Sequence, residues 1–200
     1  MEDVVEISMI LISGFKPFLS EKINPSEILI QKLKVKHQDL KTVILPVEYE
    51  NAYIELQKQI DVVQQKFVIM FGQAGGRPNV CLEKIALNWN QTKASDESGK
   101  KPGVGRISDG ELALMSTFPV DDCAEFLADR KLKVETSFSA GTFVCNNLYF
   151  KVLKNNPLIP AVFVHVPFLP EQGEPHHHKM DFEQMENTAS QIINFVRTRL

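Results

Sequence analysis

The chain has little cysteine: Cys81, Cys123 and Cys145 in 200 residues, with no CxxC pair. An odd count without paired spacing excludes a disulfide framework and points to free thiols in a reducing compartment, with the cytoplasm as the expected location. No apolar run approaches the ~20 residues that a membrane-crossing helix needs, so no membrane partner is expected. The opening stretch MEDVVEISMILIS is acidic and lacks the basic segment of a secretory signal. No basic block occurs either. With 22 Lys and Arg against 25 Asp and Glu the formal charge is −3, which argues against a nucleic-acid partner. Repeats, low-complexity tracts and a dividing linker are absent, so residues 1–200 read as a single domain. What remains is 44% hydrophobic and 24% charged, enough to bury a real core.

Short apolar runs alternate with helical stretches. EISMILIS (6–13), KTVILPV (41–47), FVIMF (67–71), KVETSFS (133–139) and PAVFVHVPF (160–168) read as strands, and VCLEKIALNW (80–89) as one more. NPSEILIQKLK opens a helix with Asn24 as N-cap and Pro25 in the first turn. Residues 50–66 place Tyr53, Leu56, Ile60 and Val63 on one helical face. Helices are also expected over 121–130, 142–155 and the C-terminal stretch from Asp181, where Ile192, Phe195 and Val196 share an apolar side. Residues 91–110, polar and rich in Gly, Ser and Lys, form the longest loop and the segment most expected to move. The alternation predicts an α/β fold: a three-layer α/β/α sandwich around a mixed, mostly parallel sheet.

In such a sheet, sites gather at strand ends and the loops that follow. Cys145 lies near the start of a helix, where unpaired amides and the dipole favour a thiolate; a plain buried thiol is the competing reading. His165 sits near the end of a very apolar strand, either as a satisfied core residue or as a base. Glu83, in a half-buried strand, needs a partner, which Lys84 or another surface cation could supply. Together the three have the composition of a cysteine-hydrolase triad of nucleophile, base and orienting acid. Spacing alone does not bring them together. The adjacent histidines 176–178 point in different directions and lack a cysteine or carboxylate at zinc-like spacing, so no metal is expected. The loop GQAGGR lacks the lysine-hydroxyl pair of a phosphate loop, which leaves a nucleoside- or phosphate-handling enzyme without a residue set.

Several ordered segments resemble the pyroglutamyl peptidase I family, the pyrrolidone-carboxylate peptidases. They are SGFKPF with INPS close behind, LPV, GQAGGRPNVCLEKIALN, MSTFPV, SFSAGTFVCNNLYF and FVHVPFLPEQ. Carried over by position, the resemblance implies a catalytic triad of Glu83, Cys145 and His165. The reaction implied is removal of an N-terminal pyroglutamate from peptide substrates through a thioester, with no metal and no cofactor. It also implies a ring pocket of Phe15, Phe18, Phe143 and Val144, with backbone groups near Gln73 pairing the lactam and Lys93 as a loop contact. A homo-oligomer, dimer or tetramer, is left open by it. Leu19 and Ser20 stand where the family usually has two glycines, Cys81 where it prefers Ser or Thr, and Lys93 where an arginine is usual. A non-catalytic relative that binds a peptide or partner through the same pocket is the alternative.

Overall fold

The computed structural model of the chain describes residues 9–19 and 21–200. Its first strand, β1 (Ile10–Phe15), is buried along its whole length; the part of the expected strand over residues 6–8 lies outside the described residues. Strands β2 (Leu40–Leu45), β3 (Phe67–Gln73) and β8 (Ala161–Val166) run parallel to it, and β4 (Val80–Glu83) and β7 (Val134–Ser137) complete the sheet in the order β2-β1-β3-β8-β4-β7. β4 is antiparallel to β8 and parallel to β7, so the sheet is mixed but mostly parallel. Near-continuous Val, Ile and Phe in β3 and β8 follow from burial on both faces.

Those faces are covered by two layers. Ile10, Ile12, Ile69, Val162 and Val164 pack against α1 (Pro25–Lys36), α3 (Val120–Ala128) and α5 (Phe182–Arg197). Leu11, Val68, Met70 and Phe163 pack against α2 (Asn51–Gln59) and α4 (Val144–Asn155). The result is the three-layer α/β/α sandwich that the strand-helix alternation predicts. Along α5, Ile192, Phe195 and Val196 are buried as expected.

Two elements depart from the sequence reading. The stretch 80–89 is not one strand: after Glu83 the chain leaves the sheet, and β5 (Ile85–Leu87) pairs antiparallel with β6 (Ala113–Met115) in a separate ribbon. Asn146 on α4 causes this split. Its side chain accepts from the Leu87 amide at 2.8 Å and donates to the carbonyls of Leu87 and Trp89, taking the place of a neighbouring strand. The helix expected over 50–66 ends at Gln59, Ile60 is its C-cap, and Val63 is exposed rather than on the buried face. Asp61 turns the chain there, its carboxylate accepting from the Val63 amide at 2.9 Å.

The start of α1 is sewn to the end of β1. Asn24, fully buried, accepts from the Ser26 amide at 3.0 Å and the Ser26 hydroxyl at 2.8 Å, and donates to the Lys16 carbonyl. The Ser26 hydroxyl in turn accepts from the Phe15 amide at 3.0 Å. The approach is so close that a Cβ on Gly14 would lie 2.5 Å from the Ser26 carbonyl oxygen. Asn24→Ala removes the cap and strands a buried hydroxyl, so it should cost about 1–3 kcal/mol and lower Tm by about 2–4 °C per kcal/mol. Thermal denaturation followed by circular dichroism checks this; an unchanged Tm would contradict the cap's role.

Candidate active site

The loops after β1, β3 and β8 leave the same carboxyl-terminal end of the sheet, where Gln172 joins Gln73 and the Ile23 carbonyl. In-register neighbours of a sheet share a face. Gly72 of β3 pairs with His165 of β8, and His165 pairs in turn with Cys81 of β4. Glu83, two residues beyond Cys81, therefore points the same way, toward α4. The Glu83 carboxylate is fully buried, and its Oε1 lies 2.7 Å from His165 Nδ1. A carboxylate only accepts, so Nδ1 carries the ring proton and Nε2 keeps its lone pair. Lys84, the surface cation considered for Glu83, pairs with Asp121 instead.

Cys145 enters this face from above. Phe143 is the N-cap of α4 and no side chain caps the first turn, which leaves the opening amides free. A Cβ built on Gly72 would lie 3.3 Å from the Cys145 sulfur. The sulfur thus sits over the strand position in register with His165. Gly72 has to be glycine because the same Cβ would also lie 2.6 Å from the Phe163 ring. Cys145 is half-buried, whereas Cys81 and Cys123 are buried.

Burial and then the Glu83 charge push the Cys145 thiol up to about 12, against the pull of its own amide and of Arg77. Burial holds the His165 imidazole below its ordinary value, with Glu83 opposing that shift. Both directions favour a neutral thiol and a neutral imidazole.

The remaining residues divide. Phe15 is buried and its ring lies 6.3 Å from Phe163; Phe18 faces Phe143 at 6.4 Å, and Tyr49 meets Phe143 edge-on at 5.5 Å. Val144 is buried in the same cluster. The Gln73 side chain is turned to the opposite face, where its carbonyl accepts from Gln172 at 2.9 Å. Its main chain stays available on one side, because β3 loses its β1 partner after Met70 and continues through Gln73 with β8 alone. Lys93 is exposed on the following loop. Ser20 lies outside the described residues, and Leu19 takes a left-handed φ of 56° where a glycine would be unstrained.

The stretch 91–110 is tied down rather than loose. Buried Asp96 accepts from the amides of Tyr49, Ser98 and Lys100. Asn88 accepts from the amides of Ile107 and Ser108 and donates to the carbonyls of Ser108 and Glu111. Polar composition suggested mobility, but these polar groups bind the loop to the body. Of the three histidines 176–178, His177 packs on Phe168 and His176 on His177.

Sequence reasoning passed over Arg77, Tyr149 and Gln172. Arg77 Nη2 lies 3.0 Å from Glu83 Oε1 and donates to the Ser139 carbonyl at 2.7 Å. The Tyr149 hydroxyl donates to the Glu83 carbonyl at 2.9 Å. Gln172 Nε2 joins Glu21, the Ile23 carbonyl and Gln73. An arginine inside a glycine-rich loop was the one signal of these in the sequence.

Comparison with known proteins follows the same outline. The family model described as pyroglutamyl peptidase matches residues 8–192. A pyrrolidone-carboxylate peptidase of Chromobacterium violaceum is 35% identical over 172 residues, covering 84% of this chain and 81% of that protein. One from Enterococcus faecalis is 32% identical over 193 residues, covering 92% and 91%. Among solved structures, the pyrrolidone carboxyl peptidase of Fervidobacterium islandicum superposes with a TM-score of 0.87 at 28% identity, covering 94% of this chain and 98% of that one. A mutant pyrrolidone carboxyl peptidase from Pyrococcus furiosus gives 0.86 at 28% identity, covering 96% and 99%.

Two outcomes test the geometry. Iodoacetamide should modify Cys145 ever faster from about pH 6 to about pH 9, without a plateau, as read by mass spectrometry; a plateau near neutrality would mean a preformed thiolate. Gly72→Ala should overpack the Phe163 contact, cost about 1–3 kcal/mol and change the Cys145 alkylation rate. Unchanged stability and reactivity would contradict the close approach.

Proposed function

The chain belongs to the pyroglutamyl peptidase family, and on that premise we propose that it is a cysteine exopeptidase that removes N-terminal pyroglutamate from peptides. The observation that carries the proposal is the 2.7 Å contact of Glu83 with His165, with the Cys145 sulfur over the strand position beside that histidine.

In this reading His165 Nε2 takes the proton from the Cys145 sulfur. The thiolate attacks the carbonyl carbon joining the pyroglutamyl ring to the next residue. The oxyanion forms against the uncapped amides at the start of α4, that of Cys145 included. As the C–N bond breaks, the imidazolium proton passes to the departing amine, leaving a pyroglutamyl thioester on sulfur. Water, giving a proton to His165, then releases pyroglutamate, and the thiol is restored. Glu83 keeps Nδ1 protonated and offsets the positive charge that appears on the ring.

Selectivity follows from desolvation. A flat, neutral lactam suits the rings of Phe15, Phe18 and Phe143 and the wall of Val144. Its N–H and C=O find partners on the open main-chain edge of β3 near Gln73. A free N-terminus would bring an ammonium into this pocket, where Glu83 is already shared by His165 and Arg77. Stripping its water costs several kcal/mol.

Fluorogenic aminomethylcoumarin amides provide the test. The pyroglutamyl amide should be hydrolysed, Cys145→Ala should lose at least ~1000-fold, and the prolyl amide, whose five-membered ring lacks the lactam carbonyl and so carries a charged nitrogen, should react at least ~100-fold more slowly. Folded wild-type protein that binds the pyroglutamyl amide without turnover would instead mark a non-catalytic relative and sink the assignment.

A further inference from the structure

Glu83 meets an imidazole and a guanidinium through one atom. Its Oε1 accepts from both His165 and Arg77, at 2.7 and 3.0 Å, while Oε2 is buried with no partner among the described residues. The direction of this carboxylate is therefore set by Oε1 alone. The same Arg77 nitrogen reaches the Ser139 carbonyl, in the turn that runs from β7 into the Cys145 helix. Arg77 itself lies in the turn after β3, its amide donating to the Ala74 carbonyl at 3.1 Å. One guanidinium thus joins the acid, the glycine-rich loop and the approach to the thiol.

We propose that Arg77 is a positioning residue of this site, clamping Glu83 as an anion aimed at His165 while locking the glycine-rich loop to the Ser139 turn. Its bearing on turnover rests on the peptidase reading; its hold on the thiol and imidazole does not. The surroundings leave Arg77 without a rival. Lys84 is engaged by Asp121. Cys81 on β4 and Cys145 on α4 carry thiols rather than cations, and Tyr149 binds the Glu83 main chain. Glu135 on β7 accepts from Asn79. With its side chain about one quarter exposed, Arg77 reaches the buried acid from the rim and keeps part of its hydration.

The sign of the effect follows from charge. Arg77 opposes protonation of the His165 imidazole. It also favours the Cys145 thiolate. Removing the charge should let the imidazole take up a proton at higher pH and make the thiol harder to ionise.

Arg77→Gln and Arg77→Lys test this in the full chain. For Arg77→Gln the acid limb of kcat/KM on the pyroglutamyl amide should move to higher pH by about half a unit or more. Its kcat should fall about tenfold with KM little changed, and iodoacetamide should label Cys145 more slowly at any given pH. Arg77→Lys, which keeps charge but not the fork, should restore most of the pH profile and less of kcat. A purely structural brace would lower Tm and leave the acid limb and labelling profile in place; that result overturns the proposal. Should Arg77→Gln fail to fold, the lysine variant decides, and a profile and kcat both equal to wild type would refute the clamp. The labelling rate needs no turnover, so a wild type that labels normally but hydrolyses nothing would count against the peptidase reading and leave Arg77 testable.

Discussion

A carboxylate with no exposure to solvent is the constraint around which this site is arranged. Taking an ion out of water costs far more than one hydrogen bond returns, so a buried acid persists only where cations and donors meet it. Glu83 meets that demand with the imidazole of His165 and the guanidinium of Arg77. Its own backbone is pinned by the Tyr149 hydroxyl. Each of these partners comes from a different part of the fold: β8, the loop after β3, and α4. The acid therefore ties the sheet to the helix that carries Cys145, and the tautomer of His165 follows from it.

The same device recurs in milder form around the site. Asn24, Asn88, Asp96, Asn146 and Gln172 are buried polar side chains that bind main-chain groups of loops. They do in irregular segments what a ladder does in a sheet, because each buried amide or carbonyl needs a partner. That is how a stretch as polar as 91–110 is held to the body. It is also why the chain leaves the sheet after Glu83: Asn146 gives Leu87 a partner elsewhere.

Legibility in the sequence followed the range of the forces involved. Periodicity reports burial, which acts along a few residues, and so β3, β8, α1 and α5 were readable. The α1 cap was readable because its partners are Asn24 and Ser26, two residues apart. Glu83, Cys145 and His165 stood out as residue types near strand and helix ends, and family resemblance ordered them. Arg77 was missed because an arginine in a loop carries no local sign of its partner. The end of α2 and the split at 84–85 were missed for a related reason: the deciding bonds come from a side-chain turn at Asp61 and from Asn146, 59 residues beyond Leu87.

By itself the sequence determined the alternation of strand and helix, the apolar faces, the α1 cap and the residue types available for chemistry, since each depends on neighbours within a turn or two. Tertiary structure alone decided that β8 lies between β3 and β4. From that order follow the register of Gly72 with His165 and Cys81, the meeting of Glu83 with an imidazole and a guanidinium, and the seat of the Cys145 sulfur. Contacts between residues 82 positions apart, such as Glu83 with His165, exist only once the sheet has assembled, because nothing short of that order brings their strands side by side.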